Sequence, residues 1–190
     1  MSAADRSTHG EAEVPTLRTT APDLGRRQKV VYLVSMNESF MQRALEMAVQ
    51  NVEAGQGGPF AALVVRDNEI VGEGTNLVTS TNDPTAHAEI VAIRSACARL
   101  NTFQLEGCEI YATCEPCPMC LGAIYWARPD RVFFAATQQD AAQAGFDDAF
   151  IYREIARPWA DREIPMHRLI CATQHLPFEA WRRFPGRIEY

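Results

Sequence analysis

Apolar residues in this chain fall in short blocks whose spacing switches between helical and strand-like several times. Phe40, Met41, Ala44, Leu45, Ala48 and Val52 recur at three- and four-residue intervals, which predicts an amphipathic helix ending near Gly55. Gly57-Gly58-Pro59 then breaks the chain. Residues 60–65 are apolar enough for a buried strand. Asp67-Asn68 turns into a second strand over 69–77, so a hairpin is expected. A polar loop is predicted over 79–84. A helix follows, carrying Ile90, Val91, Ile93, Cys97 and Leu100. Further strands are predicted over 109–113 and 131–136, and helices over 117–126, 138–144 and 148–155. A last strand is expected over 168–172 and a last helix over 177–184. Alternation of strands and helices through the middle argues for an α/β layered domain. No internal repeat is visible.

Residues 1–36 lack this patterning. They are rich in Ser, Thr, Pro, Ala and scattered charge, which predicts a disordered N-terminal extension ahead of a domain over 37–190. A sharper reading makes Met36 the native start, because Asn37-Glu38-Ser39 leads straight into the first helix.

Composition narrows the class. A chain of 190 residues, 47% of them hydrophobic, suits one domain plus a tail. The net charge is −6, and residues 1–36 carry five basic and four acidic side chains, leaving about −7 on the rest. Such an acidic body is a poor footprint for nucleic acid, although net charge does not exclude a local basic patch. The longest apolar run near the N-terminus, residues 30–34, is too short for a membrane span or a secretory core. Without an export signal, the six cysteines do not read as a disulfide framework. A reducing cytoplasm is expected, with thiolates free to bind metal.

Two fragments carry the chemistry: His87-Ala88-Glu89 and Pro116-Cys117-Pro118-Met119-Cys120. One imidazole and two thiolates make three zinc ligands and leave a fourth tetrahedral position for water. A carboxylate two residues from the histidine can handle that water's protons. Cys117 and Cys120, at i and i+3, share one helical face. Pro116 suits the first helical position, and the positive end of the helix dipole favours both thiolates. His87 and Glu89, at i and i+2, would point to nearly opposite sides of an ideal helix. Both can face one site only if His87 lies at the helix edge, with Asp83-Pro84-Thr85 supplying the start signals. Two helix N-termini are therefore expected to meet at the metal.

Each fragment alone has a plainer explanation. A lone C-x-x-C is often structural, and a structural zinc site would want a fourth protein ligand, for which Cys114 is the candidate. Cys114, Cys117 and Cys120 have iron–sulfur-like spacing, but the nearby fourth cysteine is missing. Cys114 is read as packing beside the site, and Cys97, Cys108 and Cys171 as small core hydrophobes. Asp147 reads as the cap of the helix that follows it. Taken jointly, H-x-E followed by P-C-x-x-C is the signature of zinc-dependent nucleobase deaminases.

From residue 40 to 190 the sequence resembles bacterial guanine deaminases of the cytidine-deaminase-like superfamily. The resemblance rests on Gly57-Gly58-Pro59-Phe60, Glu73-Gly74-Thr75-Asn76, the run from Asn82 to Glu89, the run from Cys114 to Arg128, Ala144-Gly145-Phe146-Asp147-Asp148, and the terminal Ile188-Glu189-Tyr190. The zinc signature belongs to the whole superfamily; the Gly-Phe-Asp-Asp stretch and the last tyrosine are more selective. The resemblance implies a three-layer α/β/α domain with a mixed five-stranded sheet. It implies one zinc per subunit on His87, Cys117 and Cys120, with Glu89 as proton shuttle. It further implies Asn76 and the backbone near Ala88 contacting a purine base, Phe60 against its ring, and Asp148 near the exocyclic amine. A homodimer is implied, with the C-terminal segment able to cross and bring Tyr190 over the neighbouring active site.

Three alternatives stay open on the sequence. A tRNA adenosine deaminase would share the zinc signature but need a basic surface for RNA, and no lysine follows Lys29. A cytosine deaminase would also share it. A zinc-stabilised binding module without catalysis would have no need of Glu89.

Overall fold

The computed structural model describes residues 37–190 apart from Asp147. The expected disordered extension over 1–36 and the capping role of Asp147 lie outside the described residues.

Helix α1 spans Glu38–Glu53. The Asn37 side chain accepts from the Ser39 backbone N–H and so satisfies one of the donors a helix start leaves unpaired. Gly55, at φ +66°, lies just past its end. Strand β1, Ala61–Arg66, turns at Asp67 and Asn68 into β2, Glu69–Thr75, giving the expected hairpin. Both turn residues have positive φ, the conformation a two-residue hairpin loop with the twist of the strands requires. Strand β3, Cys108–Cys114, pairs antiparallel with β1, and β4, Arg131–Ala136, pairs parallel with β3. The sheet order is β2-β1-β3-β4.

Central strand β1 buries both of its faces. Ala61, Leu63 and Val65 meet Ala44, Met47 and Ala48 of α1, with Tyr111 of β3 alongside. Ala62 and Val64 point the other way, into a cluster with Ile110 and Ala112 of β3. Helix α3, Ala88–Leu100, closes that cluster with Ala88, Ala92 and Ala96. Helix α4, Pro118–Ala127, adds Ile124 and Ala127. The result is a helix–sheet–helix sandwich, as the alternation implied, on a mixed sheet.

That sheet has four strands, not five. Residues 168–172 pair with no strand; Leu169 is 84% exposed and Ile170 71%. An apolar run becomes a strand only where a neighbour accepts its ladder of hydrogen bonds, and among the described residues this segment has no such partner. The loop expected over 79–84 also differs, because one helical turn, α2, forms at Val78–Thr81. The Leu77 carbonyl accepts from the Thr81 N–H and hydroxyl, so the polar side chains close the turn themselves. Helices α5 at Gln138–Gln143, α6 at Ala149–Ala156 and α7 at Leu176–Arg183 lie close to their expected positions. No helix among the described residues is long and apolar enough to cross a membrane.

Close backbone approach sets α3 against the sheet. A Cβ at Gly72 would fall 2.6 Å from the Ala92 carbonyl oxygen, and one at Gly74 would overlap the Ala88 and Ala92 backbone. Only glycine lets β2 approach α3 this closely.

Candidate active site

His87 is the N-cap of α3, in extended conformation at φ −69° and ψ 154°. Glu89 is the second helical residue. The non-helical backbone at His87 breaks the angular rule that would separate the two side chains, so both face the same cavity. Cys117 is likewise the N-cap of α4, and Cys120 sits in its first turn. Pro118, not Pro116, holds the first helical position; Pro116 lies ahead of the helix, where its carbonyl accepts from the Tyr152 hydroxyl at 3.3 Å. Asp83 does not cap α3 either. Its carboxylate closes the preceding turn by accepting from the Thr85 N–H at 2.8 Å.

The two N-termini converge. Cys117 Sγ lies 3.5 Å and Cys120 Sγ 3.6 Å from His87 Nδ1. Donor atoms of the three residues are all within 4.8 Å of one another. A nitrogen and two sulfurs so spaced fit the ligand set of a tetrahedral zinc with one position open. The Cys120 thiol donates to Cys117, which pulls the Cys117 thiol down to about 4, with His87 adding to the effect. That same hydrogen bond, together with burial, raises Cys120. His87 is raised by its hydrogen bond with Cys117. Three ligands holding protons between them are the arrangement a dication displaces.

Glu89 is buried beside this trio, only 8% exposed. Burial raises its carboxyl above the ordinary range, and the nearby Cys117 adds to this. A raised carboxyl exchanges protons more readily near neutrality than an ordinary one. Cys114 stays apart from the ligand set: its thiol is 3.6 Å from the Thr137 carbonyl oxygen, and burial lifts it to about 11. Cys97 is partly buried and Cys108 buried, whereas Cys171 is exposed and does not join the core.

A cavity of about 530 Å³ opens over these groups, in the size range of small-molecule sites. It is lined by His87, Ala88, Glu89 and Cys117, and by Phe60, Asn76 and Asp148 among others. The Asn76 carboxamide oxygen accepts from the Gly58 and Val78 N–H groups, both at 3.3 Å. That fixes the oxygen end of an amide whose residue lines the cavity. Asn51 in turn donates to the Asn76 carbonyl at 2.9 Å. Phe60 meets Phe146 edge to face, with centroids 4.9 Å apart. Ala88 is the first residue of α3, so its N–H has no partner within the helix. Asp148 caps α6 without giving its carboxylate to the helix.

Of the site residues singled out in the sequence, the fully buried Cys120 and Tyr190 do not line this cavity. Tyr190 sits beside α4 instead, its ring centroid 5.8 Å from that of Trp126 and 6.3 Å from that of Phe103. Trp126 itself is exposed. Sequence reasoning missed Gln138, Phe146 and Ile151 in the wall. A glutamine at a helix start carries no chemical signal, and the Thr137–Asp140 capping box beside it marks only where α5 begins.

The cytidine and deoxycytidylate deaminase zinc-binding region matches residues 34–136, more than half of the chain. The chain belongs to this deaminase family. The match takes in all three zinc ligands and Glu89 of this deaminase. It is 56% identical to guanine deaminase of Bacillus subtilis over 81% of the chain and 99% of that relative. A crystal structure of guanine deaminase from Bacillus subtilis superposes with a TM-score of 0.80 at 55% identity, covering 81% of this chain and 98% of the other. A tRNA-specific adenosine deaminase of Aquifex aeolicus is 46% identical over 52% of this chain and 65% of its own length.

Proposed function

We propose that the protein hydrolyses guanine to xanthine and ammonia. The observation that carries this reading is the similarity to a guanine deaminase over nearly the whole of that relative's length, including residues beyond the zinc signature. Similarity to the tRNA-acting relative covers about half of the chain, and the acidic body offers RNA little attraction.

Zinc, when bound, supplies a water whose pKa is lowered toward about 7. Glu89 takes a proton from that water and delivers it to N3 of the purine. In the net hydrolysis the water's oxygen replaces the C2 amino group, which leaves as ammonia with the water's second proton. Asp148, which lines the same cavity as Glu89, takes part in that second proton transfer by holding the exocyclic amine. The Asn76 amino group and the Ala88 N–H donate to acceptors of the base, and Phe60 packs on its ring. All six cysteines are free, which fits a reducing cytoplasm.

Ammonia release from guanine, adenine, cytosine and unmodified tRNA, measured in parallel on zinc-loaded protein, tests the substrate. Release from guanine alone is expected. Release from cytosine or tRNA without release from guanine overturns the reading.

The same proposal includes a homodimer. Tyr125 is 76% and Trp126 63% exposed on α4, and Phe178 and Phe184 are exposed in the C-terminal segment, more apolar surface than a monomer usually leaves to solvent. Tyr190, absent from its own chain's cavity, is then free to reach the partner's. Sedimentation should give twice the monomer mass, and deletion of Tyr190 should lower guanine turnover about tenfold or more at unchanged zinc content. A monomer with full turnover, or a deletion without effect, counts against it.

A further inference from the structure

Asp148 is not left to find its own orientation. Its Oδ1 accepts from Gln138 Nε2 at 2.7 Å, a short, charge-assisted hydrogen bond. Both residues line the cavity that holds His87 and Glu89. Gln138 is in turn pinned through its backbone. Its N–H donates to Glu115 Oε2 at 3.1 Å, and the Glu115 N–H donates to the Ala136 carbonyl at 2.9 Å. The preceding residue, Thr137, closes a reciprocal cap with Asp140 that fixes the first turn of α5. From the other side, Tyr152, one turn along α6 from Asp148, is tied to Pro116. The glutamine thus joins the loop ahead of the zinc cysteines to the Asp148 carboxylate.

We propose that Gln138 is a positioning residue for Asp148: it occupies one carboxylate oxygen and presents the other to the amine of the base. The inference rests on the guanine-deaminase reading for what Asp148 does, but the hydrogen bond can be tested without it. A carboxylate already oriented needs no reordering when charge shifts during ammonia departure, which is where such pre-organisation acts on rate.

The test is a double-mutant cycle on zinc-loaded protein with Gln138→Leu, Asp148→Asn and the pair, scored by kcat on guanine. Gln138→Leu is expected to lose about 10- to 100-fold, the range typical of partners that orient a functional group. In the Asp148→Asn background the same change should cost less than about twofold, because the group it orients is already gone. Gln138→Glu, which keeps the size but replaces the donor with an acceptor, should be no better than Gln138→Leu. Near-normal kcat in Gln138→Glu, or losses that multiply in the double mutant, overturns the inference. Should the wild type act on another base, the substrate reading fails and the cycle on that base still decides the role of Gln138. Independently of turnover, the side-chain amide signal of Gln138, assigned by its loss in Gln138→Leu, should shift in Asp148→Asn. An unmoved signal overturns the hydrogen bond itself.

Discussion

Glu89→Gln should abolish nearly all turnover while the protein keeps its zinc. Glutamine has the size and shape of glutamate and can still accept from a neighbouring donor, so the buried pocket beside Cys120 stays filled. It cannot accept a proton and hand it on. General acid–base assistance is worth about 10²–10⁴-fold, and here one group serves both the water and the ring nitrogen. A loss of at least about 10³-fold in kcat is expected, with zinc unchanged by elemental analysis. Near-normal turnover in this variant would remove Glu89 from the mechanism. Loss of metal together with activity would instead make it a structural support for the ligands.

Cys120→Ala should act at the other end, by removing the metal. The Cys120 side chain is fully buried against His87 and Cys117, so no solvent group can replace it without rearrangement. Zinc per chain should fall well below one after dialysis, and guanine turnover should fall to the detection limit. A ligand bound only by the folded state stabilises it, by about 2.7 kcal/mol when present at a hundred times its dissociation constant. Wild-type protein should therefore melt at a lower temperature in chelator, whereas Cys120→Ala should melt at the same temperature with or without it. Cys114→Ala provides the contrast. Its thiol lies outside the ligand set, so that variant should retain stoichiometric zinc. Full zinc in Cys120→Ala, or zinc loss in Cys114→Ala, would redraw the ligand set.

Much of this site was readable in the chain because its chemistry depends on spacing. The two-residue gap between His87 and Glu89 forces a helix boundary between them, and α3 begins at Ala88. The three-residue gap between the cysteines demands a helix, and α4 supplies it. Helix α4 starts at Pro118, one residue past the expected range, because both Pro116 and Pro118 suit a first helical position and only the backbone chooses between them. The strand expected over 168–172 failed for a different reason. Strand formation depends on a neighbour, and the sequence of a segment does not say whether a free sheet edge lies beside it. The rest of the cavity lining was only partly legible. Asp148 has the residue type of a proton carrier; Gln138 does not, and its importance comes entirely from the residue it touches.

The glycines of β2 have a consequence for how such a site can change over time. Because Gly72 and Gly74 seat α3 directly on the sheet, the metal side of the cavity is built into the rigid interior. Other lining residues come from loops and short helices outside the sheet, around Gly57–Phe60 and at Gln138, Phe146, Asp148 and Ile151. Substitutions there, away from Gln138 and Asp148, can reshape which base is accepted without disturbing the zinc or Glu89. Substitutions at either glycine would do the reverse, degrading the reaction for every base alike from a strand that carries no catalytic group.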